Sequence, residues 1–102
     1  MSKQITVVAI AEARPGCEAQ VEAAIAACVP PSRAEASNGG YVPHRDEANP
    51  SRFVFVERWA SREALAEHEK TPHFQAMAKS FAPLLAKPLE VMILDPIDQE
   101  AV

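Results

Sequence analysis

The sequence predicts the α+β class, with one antiparallel sheet and helices packed on one of its faces. Three observations lead there. RFVFVERWA (52–60) alternates with the period of a strand, placing Phe53, Phe55, Glu57 and Trp59 on one face and Val54, Val56 and Arg58 on the other. Apolar residues recur at helical spacing in two stretches: Ala19, Val21, Ala24, Ile25 and Cys28, then Phe74, Met77, Ala78, Phe81, Leu84 and Leu85. Turn-forming clusters, SNGG (37–40) and EANPS (47–51), punctuate the chain between them.

The elements follow in order. ITVVAIAEA (5–13) is β-rich and apolar on both faces, as a strand buried on two sides would be. RPG (14–16) is a turn. A helix is predicted from Cys17 to about Val29, where Pro30-Pro31 interrupts it, since neither proline can donate to the helix ladder and Pro30 disfavours helical geometry at Val29. SRAEA (32–36) adds at most a further turn. YVPHRD, after the SNGG turn, is a short strand, and Pro43 puts it at an edge or a bulge. After RFVFVERWA, Ser61 reads as the N-cap of a short helix in SREALAEHEK. Thr71 caps the next helix with Pro72 at its first position, where a missing N–H costs nothing. Pro83 lies inside the apolar pattern and is expected to kink that helix. KPLEVMILDPI ends the domain with a strand, and DQEAV reads as a frayed tail.

The resulting order, β-α-β-β-α-β, is the split βαβ or ferredoxin-like arrangement. The chain has 102 residues, which fits one domain with its core over about residues 4–96 and a short tail at 97–102. Strands 1 and 3 are apolar on both sides, but the helices cover only one face of the sheet. A second copy, sheet against sheet, would cover the other, so the patterning predicts a homodimer.

Composition narrows the function classes. At 48% hydrophobic and 24% charged the chain is globular, and a formal net charge of −4 argues against a nucleic-acid partner. No apolar window has the length of a membrane span, and the alternation and Glu12 of the first segment make it a strand rather than a signal peptide. Cys17 and Cys28 are eleven positions apart on one predicted helix, about 16 Å by helix rise, too far for a disulfide. Free thiols suit a reducing compartment, and a cytoplasmic protein is expected. With three glycines and no phosphate loop, dinucleotide fingerprint or nucleophile elbow, a nucleotide cofactor is not expected.

The candidate site residues cluster in the second half. His68 lies three after Leu65, so it points partly toward the sheet; it is either a boundary histidine or a base between helix and sheet. His73 sits at the second position after the Thr71 cap, where a helix N-terminus disfavours imidazolium; it is either surface filler or a group that polarises a carbonyl. Two histidines five apart on different helices do not have the same-face spacing of zinc motifs, and His44 would join them only by tertiary accident, so no metal is expected. Glu57 shares a strand face with three aromatics. It is either in an intermolecular or cross-strand ion pair, for example with Arg45, Arg58 or Arg62 of either chain, or a catalytic carboxylate of raised pKa. Trp59 reads as packing or pocket wall. Tyr41, after the double glycine, can present its hydroxyl at a strand edge.

ITVVAIAEARPG, GGYVPHRD, FVFVERW and H-x-x-TPHF, in this order and spacing, resemble the antibiotic biosynthesis monooxygenase domain family, and most closely its small quinol monooxygenase branch. The resemblance runs from Ile5 to about Pro96 and is most specific between Glu57 and Phe74. It implies a dimeric α+β barrel with a substrate cleft between sheet and helices. It also implies oxygenation of a quinol-like or polyketide-type aromatic by O2 without metal or flavin. On that reading His68, Tyr41 and Glu57 are catalytic. His73 and Tyr41 hold substrate oxygens, Trp59 flanks the pocket, and Phe53, Phe55, Phe74, Met77 and Phe81 form apolar walls. The haem-degrading relatives use an Asn on the first strand and a His on the last helix; here the first strand has no Asn and the helix position falls near Ala78, which argues against haem. The family also holds an isomerase, so a proton-transfer enzyme in the same pocket, or a non-catalytic dimeric binding domain, remains an alternative.

Overall fold

The structure, a computed structural model, describes residues 3–98. Seven elements follow the chain: β1 (Ile5–Glu12), α1 (Glu18–Arg33), β2 (Asn38–Asp46), β3 (Asn49–Trp59), α2 (Arg62–Glu69), α3 (Pro72–Phe81) and β4 (Glu90–Leu94). The strands form one antiparallel sheet in the order β2-β3-β1-β4. This is the ferredoxin-like α+β arrangement that the element order predicts. The second crossover carries two short helices.

Period-two patterning decides which face is buried. Ile5, Val7, Ala9 and Ala11 of β1, with Phe53, Phe55, Glu57 and Trp59 of β3, point beneath the helices and are all buried. Against them α1 lays Val21, Ile25, Cys28 and Ser32, spaced four, three and four apart. Leu65 and His68 of α2 and Met77 and Phe81 of α3 complete the layer. Ala19 and Ala78, expected on core faces, are exposed.

The other face carries no helix. There Val42, Val56, Val8 and Met92 stand opposite one another as a row across all four strands. Val42, Val56 and Met92 are 44%, 40% and 38% exposed, which makes an apolar band on the helix-free face.

Several boundaries differ from the sequence expectation. The helix does not stop at Pro30-Pro31 but runs through both to Arg33. Proline's fixed φ suits a helix, and the carbonyls deprived of donors, on Ala26 and Ala27, lie on the exposed face where water can reach them. Burial of Cys28 and Ser32 on the opposite side holds the last turns down. Cys17 is the N-cap residue rather than part of the helix, and both cysteines are free thiols. The turn lies at residues 34–37, ahead of the two glycines. Asn38-Gly39-Gly40 enters β2, where the register shifts between Asn38 and Gly40, so the glycines mark a bulge. Gly16 of the RPG turn has φ +86°, a left-handed conformation that glycine adopts without Cβ strain.

Pro43 does lie on an edge strand. β3 begins earlier than expected, at Asn49, because Glu47 and Ala48 alone make the turn that pairs Asp46 with Asn49. Pro83 does not kink α3: the helix ends at Phe81, and Leu84 and Leu85 continue the apolar pattern in a turn. There Leu85 is buried and bridges Ala13. Of the tail DQEAV, only Asp98 falls among the described residues.

Candidate functional site

The site is built where α1 ends and the second crossover begins. Ser61 caps α2, its hydroxyl accepting from the Ala64 N–H at 3.1 Å. The helix lasts eight residues, which brings His68 into its last turn, on the buried face with Leu65. Thr71 then does two things. Its hydroxyl donates to the His68 carbonyl at 2.7 Å and accepts from the Phe74 N–H at 3.2 Å, so it ties the end of α2 to the start of α3. This sharp join swings His73 back toward His68, with ring centroids 5.9 Å apart.

Glu35 meets both histidines. It sits in the turn after α1, held by its N–H to the Ser32 carbonyl and by its own carbonyl from the Asn38 N–H. One oxygen, Oε2, lies 2.7 Å from His68 Nδ1 and 2.7 Å from His73 Nε2. A carboxylate only accepts, so each ring donates an N–H and both tautomers are set. With Nδ1 engaged, Nε2 is the nitrogen His68 has left to offer.

His68 itself is 1% exposed and caged by aromatics. Trp59 lies over it at 4.4 Å between centroids, tilted 33°, while Phe74 and Tyr41 meet it edge-on at 5.2 and 5.6 Å. His68 borders a cavity of about 20 Å³ that Tyr41, Phe55, Glu57, Glu69, Phe74, Met77, Leu89 and Val91 also line. That is room for about one water molecule. Larger depressions of about 440 and 580 Å³ lie elsewhere on the surface and do not include His68.

Glu57 and Glu69 are the carboxyl groups that line the cavity beside His68, and Glu57 is the buried one. Within the chain it makes no ion pair with Arg45, Arg58 or Arg62, which was the cross-strand form of one reading of the sequence. Its Oε1 accepts from Trp59 Nε1–H at 2.8 Å, from the same strand face two residues on. Burial pushes its carboxyl up to about 7. The Trp59 hydrogen bond opposes this, and the negative charges of Glu69 and Glu35 add to it.

Tyr41 does not present its hydroxyl at the strand edge. The residue is 1% exposed and the hydroxyl turns under α1 to donate to Cys28 Sγ at 3.7 Å, with Ser32 Oγ 3.4 Å from the same sulfur. Burial, and then the neighbouring Cys28 and Glu57, push its pKa up from the usual 10. Only its ring borders the cavity. Among the other expected site residues, Phe55, Phe74 and Met77 line the cavity, whereas Trp59 backs His68. Phe53 lies under the Arg45 guanidinium in the 440 Å³ groove, and Phe81 borders a separate groove of about 400 Å³.

The spacing argument against shared metal ligation does not survive the fold. The α2–α3 join brings the two histidines together, and the third partner is Glu35, not His44, which is exposed on β2. The ligand atoms of Glu35, His68 and His73 all lie within 4.8 Å of one another. Glu35 carried no signal in the sequence: it is 33 and 38 residues from its partners, in a turn with no periodicity.

Fold and site together define a small ferredoxin-like α+β protein with an acid–base cluster closed between its sheet and its helices. The profile of the antibiotic biosynthesis monooxygenase family matches residues 4–80, and the chain belongs to that family. It is 31% identical over 99 residues to the Mycobacterium tuberculosis protein named Putative monooxygenase Rv0793, covering 97% of each. The solved structure of Rv0793 superposes with a TM-score of 0.91 at 29% identity, over 97% of this chain and 100% of that one. PA3566 from Pseudomonas aeruginosa gives 0.89 at 32% identity, over 96% and 98%. No helix among the described residues is long and apolar enough to cross a membrane.

Proposed function

We propose that the protein is a monooxygenase that uses O2 on a small quinol-like aromatic, with His68 as the base and no flavin or metal on the reaction path. The observation that carries this reading is the Glu35–His68 hydrogen bond, which leaves Nε2 for the cavity that Glu57 also lines. The pairing supplies a base with a fixed tautomer in a nearly dry place, where charge transfer to O2 is least quenched by water. In the reaction Nε2 takes a proton from the substrate, and the carbanion-like phenolate gives one electron to O2. The radical pair then closes a C–O bond, and the hydroperoxide loses water to leave a carbonyl. The substrate supplies all four electrons: in the keto form of a quinol, as in an anthrone, the CH2 carbon and O2 become C=O and H2O with no further reductant. His68 returns its proton to the peroxide, and Glu57, with a pKa of about 7, protonates the departing water while the second C–H proton replaces the one it gave.

The cavity as it stands admits O2 or water but not an aromatic ring. The ring must enter past Leu89 and Val91, the latter 42% exposed, and settle among Tyr41, Phe55, Phe74 and Met77. We also assign the bare sheet face to a second copy of the chain, since the Val42–Val56–Val8–Met92 row is the surface that a homodimer would bury.

Oxygen uptake by metal-stripped protein over quinols and anthrone-like aromatics tests the reading, beside a no-enzyme autoxidation control. Loss of the base in His68→Ala is expected to lower protein-dependent uptake about 10²–10⁴-fold; unchanged uptake rules out the role of His68. His68 and the carboxyl groups of Glu57 and Glu69 around one water-sized cavity also suit an isomerase. That reading predicts turnover under anaerobic conditions, where the oxygenase is silent.

A further inference from the structure

We propose that Glu35, His68 and His73 form a binding site for one divalent cation of the borderline class that zinc represents, held by the Glu35 carboxylate, His68 Nδ1 and His73 Nε2. The site stands apart from the reaction proposed above and bears on it only through His68.

The donor set selects the ion class. Two imidazoles and a carboxylate suit zinc, cobalt or nickel, whereas magnesium and calcium want oxygen ligands throughout. The geometry is close to what such an ion needs. A tetrahedral ion at ~2.0–2.1 Å from each ligand sets its ligand atoms about 3.3 Å apart. The two nitrogens each lie 2.7 Å from Glu35 Oε2. Both short distances share this one oxygen, so a single small withdrawal of the carboxylate opens both, and the two nitrogens, which lie within 4.8 Å of each other, close toward that spacing as the ion binds.

Charge and access agree with this. The charges of Glu35 and Glu69 are both felt at Glu57. Among the described residues no lysine or arginine side chain is ion-paired with Glu35, Glu57 or Glu69. The cluster thus has three carboxyl groups and only histidines to offset them. The side chain of His68 is 2% exposed, but those of Glu35 and His73 are 17% and 19% exposed. An ion can reach the site from that side and keep a water as its fourth ligand.

Occupancy changes what His68 offers to the cavity. Without the ion its proton is on Nδ1, shared with Glu35, and Nε2 accepts. With the ion on Nδ1 the neutral ring carries its proton on Nε2 and donates. A ligating histidine commonly gives that second N–H to a carboxylate, and Glu57 lines the same cavity. The ion therefore turns a base into a donor and silences any reaction that needs the base.

The test is metal binding by tag-free, chelator-stripped protein. Titration with Co2+ should give one ion per chain, with the visible absorption of a four-coordinate site, displaced by Zn2+ and unaffected by excess Mg2+. By calorimetry with Zn2+, Glu35→Gln and His73→Ala should each weaken binding by at least about tenfold. His44→Ala, which removes the one other histidine, should not. Ring ¹⁵N NMR should show the His68 proton on Nδ1 before zinc and on Nε2 after it. No saturable one-to-one binding, or equal binding by all three variants, overturns the site. Zinc binding with the His68 proton still on Nδ1 overturns the ligand assignment. None of these readouts needs turnover, so their failure leaves the oxygenase reading standing, and a silent oxygen assay leaves the site standing.

Discussion

Glu57 pairs a buried carboxyl with a single donor, Trp59 Nε1–H, and that balance has a measurable consequence. Folding raises its pKa from 4.5 to about 7, because burial disfavours the charged form. Between those values the native state keeps a proton that the unfolded chain has released. The contribution is therefore intact below the unfolded value, and stability falls as pH rises toward 7, by on the order of 3 kcal/mol at most. Glu57→Gln, which is neutral throughout, should lose this slope. Its melting temperature should gain on the wild type as the buffer moves from about pH 5 to about pH 8. Parallel profiles would show that the carboxyl is solvated rather than buried.

α2 and α3 are both too short to be stable alone, and their caps matter more than their propensities. Thr71 is the joint between them. Its hydroxyl caps α3 and also holds the His68 carbonyl. Thr71→Ala should cost about 1 kcal/mol in denaturant unfolding, the usual loss of a side-chain cap, and Thr71→Ser should recover most of it. Because the same joint brings His73 to Glu35, the alanine variant should also loosen the His68–Glu35–His73 cluster, seen as exchange broadening of the two imidazole resonances. An alanine variant as stable as the wild type would mean that packing of Phe74 and Met77 alone fixes the join. α1 shows the opposite balance. Pro30 and Pro31 weaken its ladder, yet it continues, because Cys28 and Ser32 are buried against the sheet.

For the molecule as a whole, the unequal treatment of the two sheet faces is the dominant feature. One face is closed by three helices, and the other shows a row of valines and a methionine to solvent. Light scattering at micromolar concentration should give twice the chain mass. Val56→Lys, at the centre of the row on β3, should shift the protein to monomer while leaving its far-UV circular dichroism unchanged. A wild-type monomer at that concentration would contradict the homodimer.

How much of this was legible beforehand follows from the range of each interaction. The alternation of RFVFVERWA, the caps at Ser61 and Thr71, and the edge position marked by Pro43 are properties of neighbours in the chain, and with them the element order and the ferredoxin-like fold could be read directly. His68 and Glu57 could be singled out from their places on α2 and β3, while the walls Phe55, Phe74 and Met77 came from the family resemblance, which also named Phe53 and Phe81 of other grooves. Glu35 could not, since a turn has no period and its two partners lie more than thirty residues away. Tyr41 was placed correctly on β2, but which way its hydroxyl turned depended on Cys28 of a different element. The sequence determined most of the elements and their order, because these rest on backbone geometry and local burial. Only the tertiary structure decided that two histidines and a distant glutamate share one oxygen and that the cavity beside them closes to the size of a water molecule, because these depend on how separately folded pieces come to rest against each other.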